Sequence, residues 1–394
     1  MNSNYVKNGY IVCECIVDAI NNNRALPKKC EAAQDVENRI SFLKAHNLIT
    51  LLDFTIAKAD ILSFLTQDKA KTLSDTVNKA VYKQLKYDLM SDSISDALSE
   101  SDIRHIVLKG TEFKKYYPEN MVRTSNDIDI YVDKQDLESA EKVLKDNGFV
   151  YDNTYNDTEF SYKKEPRYYI ELHANLEGFS ERQKEILTIF TDNALNVSKK
   201  RYSLSDNDFY IYSLFHLYKH FVLSGVGVRM FLDVYMIRKN TPLDFEYITP
   251  ILKELCIDGF ESVVTEINSC LFEGQKASKD LGEVIEFIFD SGAFGKVSSH
   301  RHLRKVNAKV LHQNKLDRAK IEYGISFMDM KKRYPILERF PILYPFSFVY
   351  RFIFGLFNKS DVLKAAHDSK KSMDKDRVKK YERIFRTLKV NIKN

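Results

Sequence analysis

The sequence predicts an α+β protein in which a small α/β unit lies between two helical regions. Three observations carry that expectation. Residues 1 to about 100, and again from about 201 onward, place apolar residues at three- and four-residue spacing, as amphipathic helices do. Near Ile103 the pattern changes to short apolar or strictly alternating runs, as strands require. Glycine (13) and proline (8) are scarce over 394 residues, which favours long helices over many short strands. The expected organisation is a helical N-terminal region at 1–100, an α/β core at 101–200 and a helical C-terminal domain at 201–394.

Val36–Phe54 and Asp60–Leu98 carry the helical spacing of the first region. HIVLKG is a short apolar run ended by Gly110 and reads as a buried strand, and TEFKKYYPEN reads as a short helix stopped by Pro118. In NDIDIYVD the alternation is strict: Asp127, Asp129 and Tyr131 face one way, Ile128, Ile130 and Val132 the other. DLESAEKVLKDNG is an amphipathic helix closed by Gly148. Residues 149–176 return to strand character, and RYYIELHANL puts Tyr169, Glu171 and His173 on one face, with Ile170 and Leu172 on the other. DFYIYSLFHLYKHFVL and VRMFLDVYMIRK then read as amphipathic or fully buried helices.

The formal charge of +5 permits an anionic substrate but gives no strong nucleic-acid signal. Lysines are densest at the C-terminal end, where they read as a solvated helix face. Cys13, Cys15, Cys30, Cys256 and Cys270 are odd in number and fit no zinc or redox spacing, so free thiols in a reducing cytosol are expected. Glu14 and Asp18 interrupt the one N-terminal apolar run, which argues against a signal peptide and for a cytoplasmic protein. The run Phe340–Phe357 is the most apolar part of the chain. It contains Pro341, Pro345 and Arg351 and is short for a membrane span, so it reads as a buried or partly exposed helix, with membrane-surface contact as the weaker alternative.

Chemistry concentrates in the α/β unit. Asp127 and Asp129, two apart on a strand, project from the same face about 7 Å apart. Glu171, on a later alternating strand, can join that face. Three carboxylates aimed at one point repel each other unless a cation lies between them, and Mg²⁺ or Mn²⁺ prefers such oxygens together with substrate phosphates. Two-metal phosphoryl transfer uses this arrangement. Upstream, Gly110 at a strand-to-helix turn lets a phosphate approach the backbone, with Thr111 adding a hydroxyl, Lys109 a point charge and Arg123 a forked guanidinium. Each part is weak alone, since a D-x-D pair is often a solvated strand end and Arg123 would pair equally well with Asp127 or Asp129. Their order is what makes the scheme specific.

The stretch LKGTEFKKYYPENMVRTSNDIDIYV resembles the core of the uncharacterised nucleotidyltransferase family, a branch of the DNA polymerase β-type superfamily. The resemblance lies in Leu108, Lys109, Gly110, Tyr117, Pro118, Arg123, Asp127, Ile128, Asp129 and Val132. ELHANL resembles the family's acid–Leu–His strand at Glu171 and His173, and HLYKHF…VRMFLDVYMI a downstream pattern at His216, His220, Arg229 and Asp233. The resemblance implies a small mixed β-sheet flanked by helices, and transfer of a nucleoside monophosphate from an NTP, ATP being favoured, with Mg²⁺ or Mn²⁺. On that basis Asp127, Asp129 and Glu171 are the expected catalytic and metal-binding residues, and Lys109, Gly110, Thr111, Arg123 and His173 the expected nucleotide-binding ones. Two positions depart from the wider superfamily, which usually has Gly-Ser where this chain has Gly110-Thr111 and Asp where it has Glu171. The acceptor is left open among a small molecule, a protein side chain and an RNA end.

His216 and His220, at i and i+4, are read as structural or acceptor-pocket residues rather than zinc ligands, and Arg229 and Asp233 as a helix-surface pair or as pocket-lining groups. Two other functions compete. A nucleotide-binding module without catalysis is left open by Glu171, and an RNA- or membrane-associated accessory protein would rest on the basic C-terminal segment.

Overall fold

A computed structural model of the chain describes residues 3–21, 27–118, 121–156, 159–166, 168–176, 178–293, 295, 303, 334, 336–344, 346–347 and 375–390. It divides into two compact units. The first comprises Met1–Tyr218 with Val226–Phe294, and the second Lys219–Gly225 with Gly295–Asn394. The first unit holds a small mixed β-sheet with helices on either side of it in sequence, the architecture that the alternating and helical patterns predict.

Helices α1 (Ser3–Ile20), α2 (Ala33–Ala45), α3 (Leu52–Thr55), α4 (Lys58–Phe64) and α5 (Gln67–Glu100) precede the sheet. The 34-residue α5 begins where the Thr66 hydroxyl accepts from the Lys69 amide, an N-cap that satisfies one donor of its first turn. The strands are β1 (His105–Leu108), β2 (Ile128–Val132), β3 (Val150–Asn156), β4 (Glu159–Lys164), β5 (Tyr168–His173), β6 (Leu195–Ser198) and β7 (Arg201–Ser203). Their order is β3-β4-β5-β2-β1-β7-β6. The pairs β2–β5 and β1–β7 are parallel, and the others antiparallel.

One face of this sheet is a core. Ile128, Ile130, Val132, Ile170, Leu172 and Tyr162 pack with Tyr87, Ile94 and Leu98 of α5 and with Ala140 and Leu144 of α6 (Leu137–Asp146). Apolar burial, worth about 25 cal/mol per Å², fixes the register, because a one-residue slip would turn the inward side chains of the slipped strand outward. The alternate residues of β2 and β5 are thereby committed to the opposite face. Gly148, at φ +80°, follows α6 as the left-handed closing residue that the sequence led us to expect.

The short helix expected in TEFKKYYPEN is a 3₁₀ helix, Glu112–Tyr116, which ends before Pro118. The steric demand of Pro118 pushes Tyr117 into extended conformation (φ −96°, ψ 147°), which leaves too few residues for α-helical bonding to propagate.

Helices α7 (Glu181–Asp192), α8 (Asp206–Ser224), α9 (Val228–Asn240), α10 (Phe245–Glu254), α11 (Asp258–Phe272) and α12 (Lys279–Ser291) follow. A buried histidine ties the ends of the first unit together. The Val228 amide donates to His46 Nδ1 at 3.2 Å, and Phe42 and Phe289 pack beside the ring. Gly227 is required here, since a Cβ would fall 2.3 Å from His46 Nδ1 and 2.6 Å from the Gly292 carbonyl oxygen. In the second unit, α13 (Ile336–Arg339) and α14 (Lys375–Thr387) are described. Most of the apolar run Phe340–Phe357 lies outside the described residues; of those described, Ile342 is 81% exposed. No helix among the described residues is long and apolar enough to cross a membrane.

Burial holds His46 at a pKa of about 4, below its ordinary 6.5. The unfolded chain therefore takes up a proton as pH falls through 6.5, while the folded chain refuses it until about 4. Stability from this group is complete above 6.5 and is lost on acidification. At about 1.4 kcal/mol per pH unit, it accounts for roughly 2 kcal/mol of the loss between pH 7 and pH 5. Urea unfolding at the two pH values should show that loss reduced by about this amount in His46→Asn.

Candidate active site

The sheet brings the acidic residues together from separate strands. Asp129 of β2 lies opposite Leu108 of β1 and Glu171 of β5, and Tyr131 opposite His173. Asp127 stands one residue before β2. On the far side of β5, Glu159 lies opposite His173 and Ser161 opposite Glu171, so the sheet face away from the isoleucine core carries a third strand's carboxylate as well.

Asp129 is the most deeply enclosed of these groups, at 2% exposure. Its Oδ1 accepts from Lys109 Nζ at 2.6 Å and from His173 Nε2 at 3.0 Å. A carboxylate only accepts, so His173 carries its proton on Nε2. One oxygen or nitrogen each from Asp129, Glu171 and His173 lie within 4.8 Å of one another, a spacing suited to one cation. Asp127 is outside that cluster of three.

The electrostatics separate the carboxylates. Burial alone would raise Asp129, but Lys109 and His173 outweigh it and hold the group well below the usual carboxylate range. Glu171 is pushed up to about 8, first by burial and then by the neighbouring Asp129, with Lys109 only partly offsetting them. Asp127 is also raised, by burial and by Asp129, against the pull of Lys109, Arg229 and Arg123. Burial disfavours the charged form of Lys109, yet Asp129 more than compensates and keeps the ammonium protonated.

At the end of β1, two successive residues adopt positive φ, Lys109 at +40° and Gly110 at +34°. The second is where glycine matters: a Cβ there would meet the Asp127 carbonyl oxygen at 3.4 Å, in a backbone conformation that strains L-residues. Beside it, the Thr111 hydroxyl is buried without a hydrogen-bond partner.

Arg123 pairs with neither acid of the D-x-D motif. Its Nε and Nη2 reach Asp233 Oδ1 and Oδ2 at 3.2 and 2.8 Å, a bidentate fork, and its Nη1 donates to the Gly110 carbonyl at 3.3 Å. Tyr117 donates to the same Asp233 at 2.7 Å. The expected surface pair of Arg229 and Asp233 is thus corrected. Asp233 is 2% exposed and turned inward to Arg123, while Arg229 Nη1 donates to the Thr124 carbonyl at 3.0 Å. The cause is that α9 is buried on most sides, from Val228 to Ile237. Gly110, Arg123 and Asp233 therefore form a single chain of contacts from the turn to the helical region.

Tyr212 escaped the sequence reading. It is buried on α8, and its hydroxyl lies in the fields of Lys109, Asp129, Glu159 and Glu171, with burial the main reason that it stays protonated. Its helix is apolar nearly all round, so no local pattern marks one tyrosine among several. The His216 ring stacks on Tyr212 at 6.3 Å between centroids, and His220 falls in the second compact unit. Neither histidine enters the three-donor cluster found among the described residues.

Residues 32–273 match the model of a protein family described as uncharacterised nucleotidyltransferase, and the chain belongs to that family. No curated protein matches it. Among solved structures, the lincomycin-bound crystal structure of a lincosamide antibiotic adenylyltransferase aligns with 40% of this chain and 97% of its own, at 20% identity and a TM-score of 0.27. Family membership makes nucleotidyl transfer the general activity of the chain.

Two stability measurements test this electrostatic arrangement. Removing Asp233 leaves the buried Arg123 guanidinium unpaired, so Asp233→Ala should cost on the order of 3–5 kcal/mol in urea unfolding. For Glu171 the folded pKa is raised, so the protonated form is the one the fold favours, and stability from this group is lost as pH rises from about 4.5 to 8. In EDTA, Glu171→Gln should match the wild type near pH 4.5 and exceed it by on the order of 3 kcal/mol at pH 7. Equal pH profiles would sink this assignment.

Proposed function

We propose that the chain is a Mg²⁺- or Mn²⁺-dependent nucleotidyltransferase that moves a nucleoside monophosphate from an NTP, ATP by preference, to a nucleophilic acceptor and releases pyrophosphate. The observation that carries this reading is the in-register pair Asp129–Glu171 on adjacent parallel strands, with Asp127 two residues before Asp129. The donor set fits a hard divalent cation. Ligand atoms of two carboxylates lie within 4.8 Å of each other, and one of the two is held neutral near pH 7 unless a positive charge stabilises its anion. Bound divalent ions supply neutralisation of the triphosphate and activation of the attacking oxygen.

The remaining work belongs to this chain's own groups. Asp127, Asp129 and Glu171 would hold the ions. His173, whose Nε2–H is committed to Asp129, orients that carboxylate. The Gly110–Thr111 turn offers the unpartnered Thr111 hydroxyl to a phosphate oxygen, with Lys109 as the nearest cation. Arg123 serves this turn indirectly, by holding the Gly110 carbonyl from an arginine already clamped on Asp233. Glu171, ionised once a bound cation stabilises its anion, would take the proton of an attacking hydroxyl. Positioning and charge neutralisation would supply most of the rate. The cysteines found free are consistent with a cytoplasmic protein.

The test is incubation with each α-³²P-labelled NTP, Mg²⁺ or Mn²⁺, and a metabolite or cell extract. Label should pass to an acceptor with release of pyrophosphate, and the Asp127→Ala, Asp129→Ala double variant should lose at least about a hundredfold in rate. Tight nucleotide binding without metal, and no labelled product with any NTP, would replace this reading with that of a binding module.

A further inference from the structure

Lys109 occupies a position between two functions. Its place in the sequence, at the end of β1 and beside the Gly110–Thr111 turn, is that of a phosphate-binding residue. Its ammonium instead lies 2.6 Å from Asp129 Oδ1, with the side chain only 15% exposed. The same oxygen receives His173 Nε2 at 3.0 Å, so both of its lone pairs are engaged. A divalent ion bound by Asp129 competes with the ammonium for the charge of one carboxylate: on this oxygen it takes the ammonium's place, and on Oδ2 it sets two cations beside a single anion.

The backbone of Lys109 cannot follow its head group. It directly follows β1, its carbonyl accepts the Glu112 amide at 2.7 Å, and the next carbonyl is held by Arg123. Only the four-carbon stem is able to swing. Once displaced, a buried ammonium without a partner is heavily penalised. The adjacent turn, with its unpartnered Thr111 hydroxyl, is where a phosphate oxygen would supply a new one.

We propose that Lys109 is an exchangeable counter-ion: it neutralises Asp129 until a polyphosphate draws its ammonium to the turn, so that divalent cation and nucleotide enter the site as a pair. This rests on the nucleotidyl-transfer reading for the identity of the polyphosphate, but not for the exchange itself. Metal alone would strand the ammonium, and nucleotide alone would leave the buried Asp129 carboxylate with His173 but without its cation. Each ligand therefore strengthens the other, reciprocally, as linkage requires.

Calorimetric titration of the full chain with Mn²⁺ alone, in the absence of nucleotide, reads the exchange directly. Lys109→Met should bind Mn²⁺ at least tenfold more tightly than the wild type, while Lys109→Arg, which keeps the charge, stays within threefold of it. Arg229→Gln removes a different positive charge facing Asp127 and should also stay within threefold. Equal tightening in that variant would reduce the effect to a general field and overturn the proposal, as would wild-type affinity in Lys109→Met. A second readout needs no loss of the side chain. With ¹³Cε-lysine labelling, and Lys109→Arg for assignment, the Lys109 signal should move when Mg²⁺ and a non-hydrolysable ATP analogue are added together. It should stay in place with Mg²⁺ and adenosine, which has no phosphate; movement in that case, or none with the analogue, overturns the proposal. If Mn²⁺ behaves as expected yet no NTP labels any acceptor, the exchange stands and the transfer reading falls. If label is transferred but Lys109→Met binds Mn²⁺ like the wild type, this inference falls alone.

Discussion

A carboxylate at 2% exposure in the middle of a sheet needs compensation, and Asp129 organises its surroundings accordingly. The isoleucines on either side of it are fixed in the core with α5 and α6, so Asp129 is turned to the other face by the period of the strand and by nothing else. Its two partners come from the two neighbouring strands, Lys109 just beyond β1 and His173 at the end of β5. The order β5-β2-β1 at the centre of the sheet is what delivers them, and a different order would leave a bare buried anion.

A second buried charge governs the approach to the site. Asp233 gathers Arg123 and Tyr117, and through Arg123 it reaches the carbonyl of Gly110. The strained turn at Lys109 and Gly110 is thus supported from α9, more than a hundred residues downstream, and does not depend on its own sequence for rigidity. This arrangement gives the helical region a defined part in the site. Tyr212 on α8 contributes to the acidic face, and α9 fixes the turn. The family match, which runs from 32 to 273, covers both the sheet and these helices.

What could be read from the sequence followed from periodicity. Asp127 and Asp129 stood out because the residues between and after them alternate, and Glu171 and His173 stood out for the same reason. Gly110 ended an apolar run, and the structure gives it the positive φ that such an ending implies. What could not be read depends on tertiary contacts. Arg123 and Asp233 are 110 residues apart, and a lone Arg before an acidic strand has nearer carboxylates to choose from. Arg229 and Asp233 have the i, i+4 spacing of a surface pair, and only the burial of α9 on most sides shows that they are not one. Tyr212 belongs to a helix whose apolar pattern carries no gap. Glu159 became part of the acidic face only once the antiparallel register of β4 and β5 was known.

The contrast between Asp129 and Glu171 shows how position, and not residue type, divides the work. Both are carboxylates on the same face, directly opposite one another. One is held well below the ordinary range and the other is pushed up to about 8, because Lys109 and His173 both sit on Asp129 and leave Glu171 to face its charge. Exchanging the two residue types would preserve the number of carboxylates. It would not preserve the asymmetry, since the extra methylene of Glu at 129 would carry the anion past the ammonium that pairs with it. The permanent anion belongs on the strand between the two partners. The carboxyl whose pKa is raised lies one strand away, where Lys109 only partly offsets burial and the charge of Asp129.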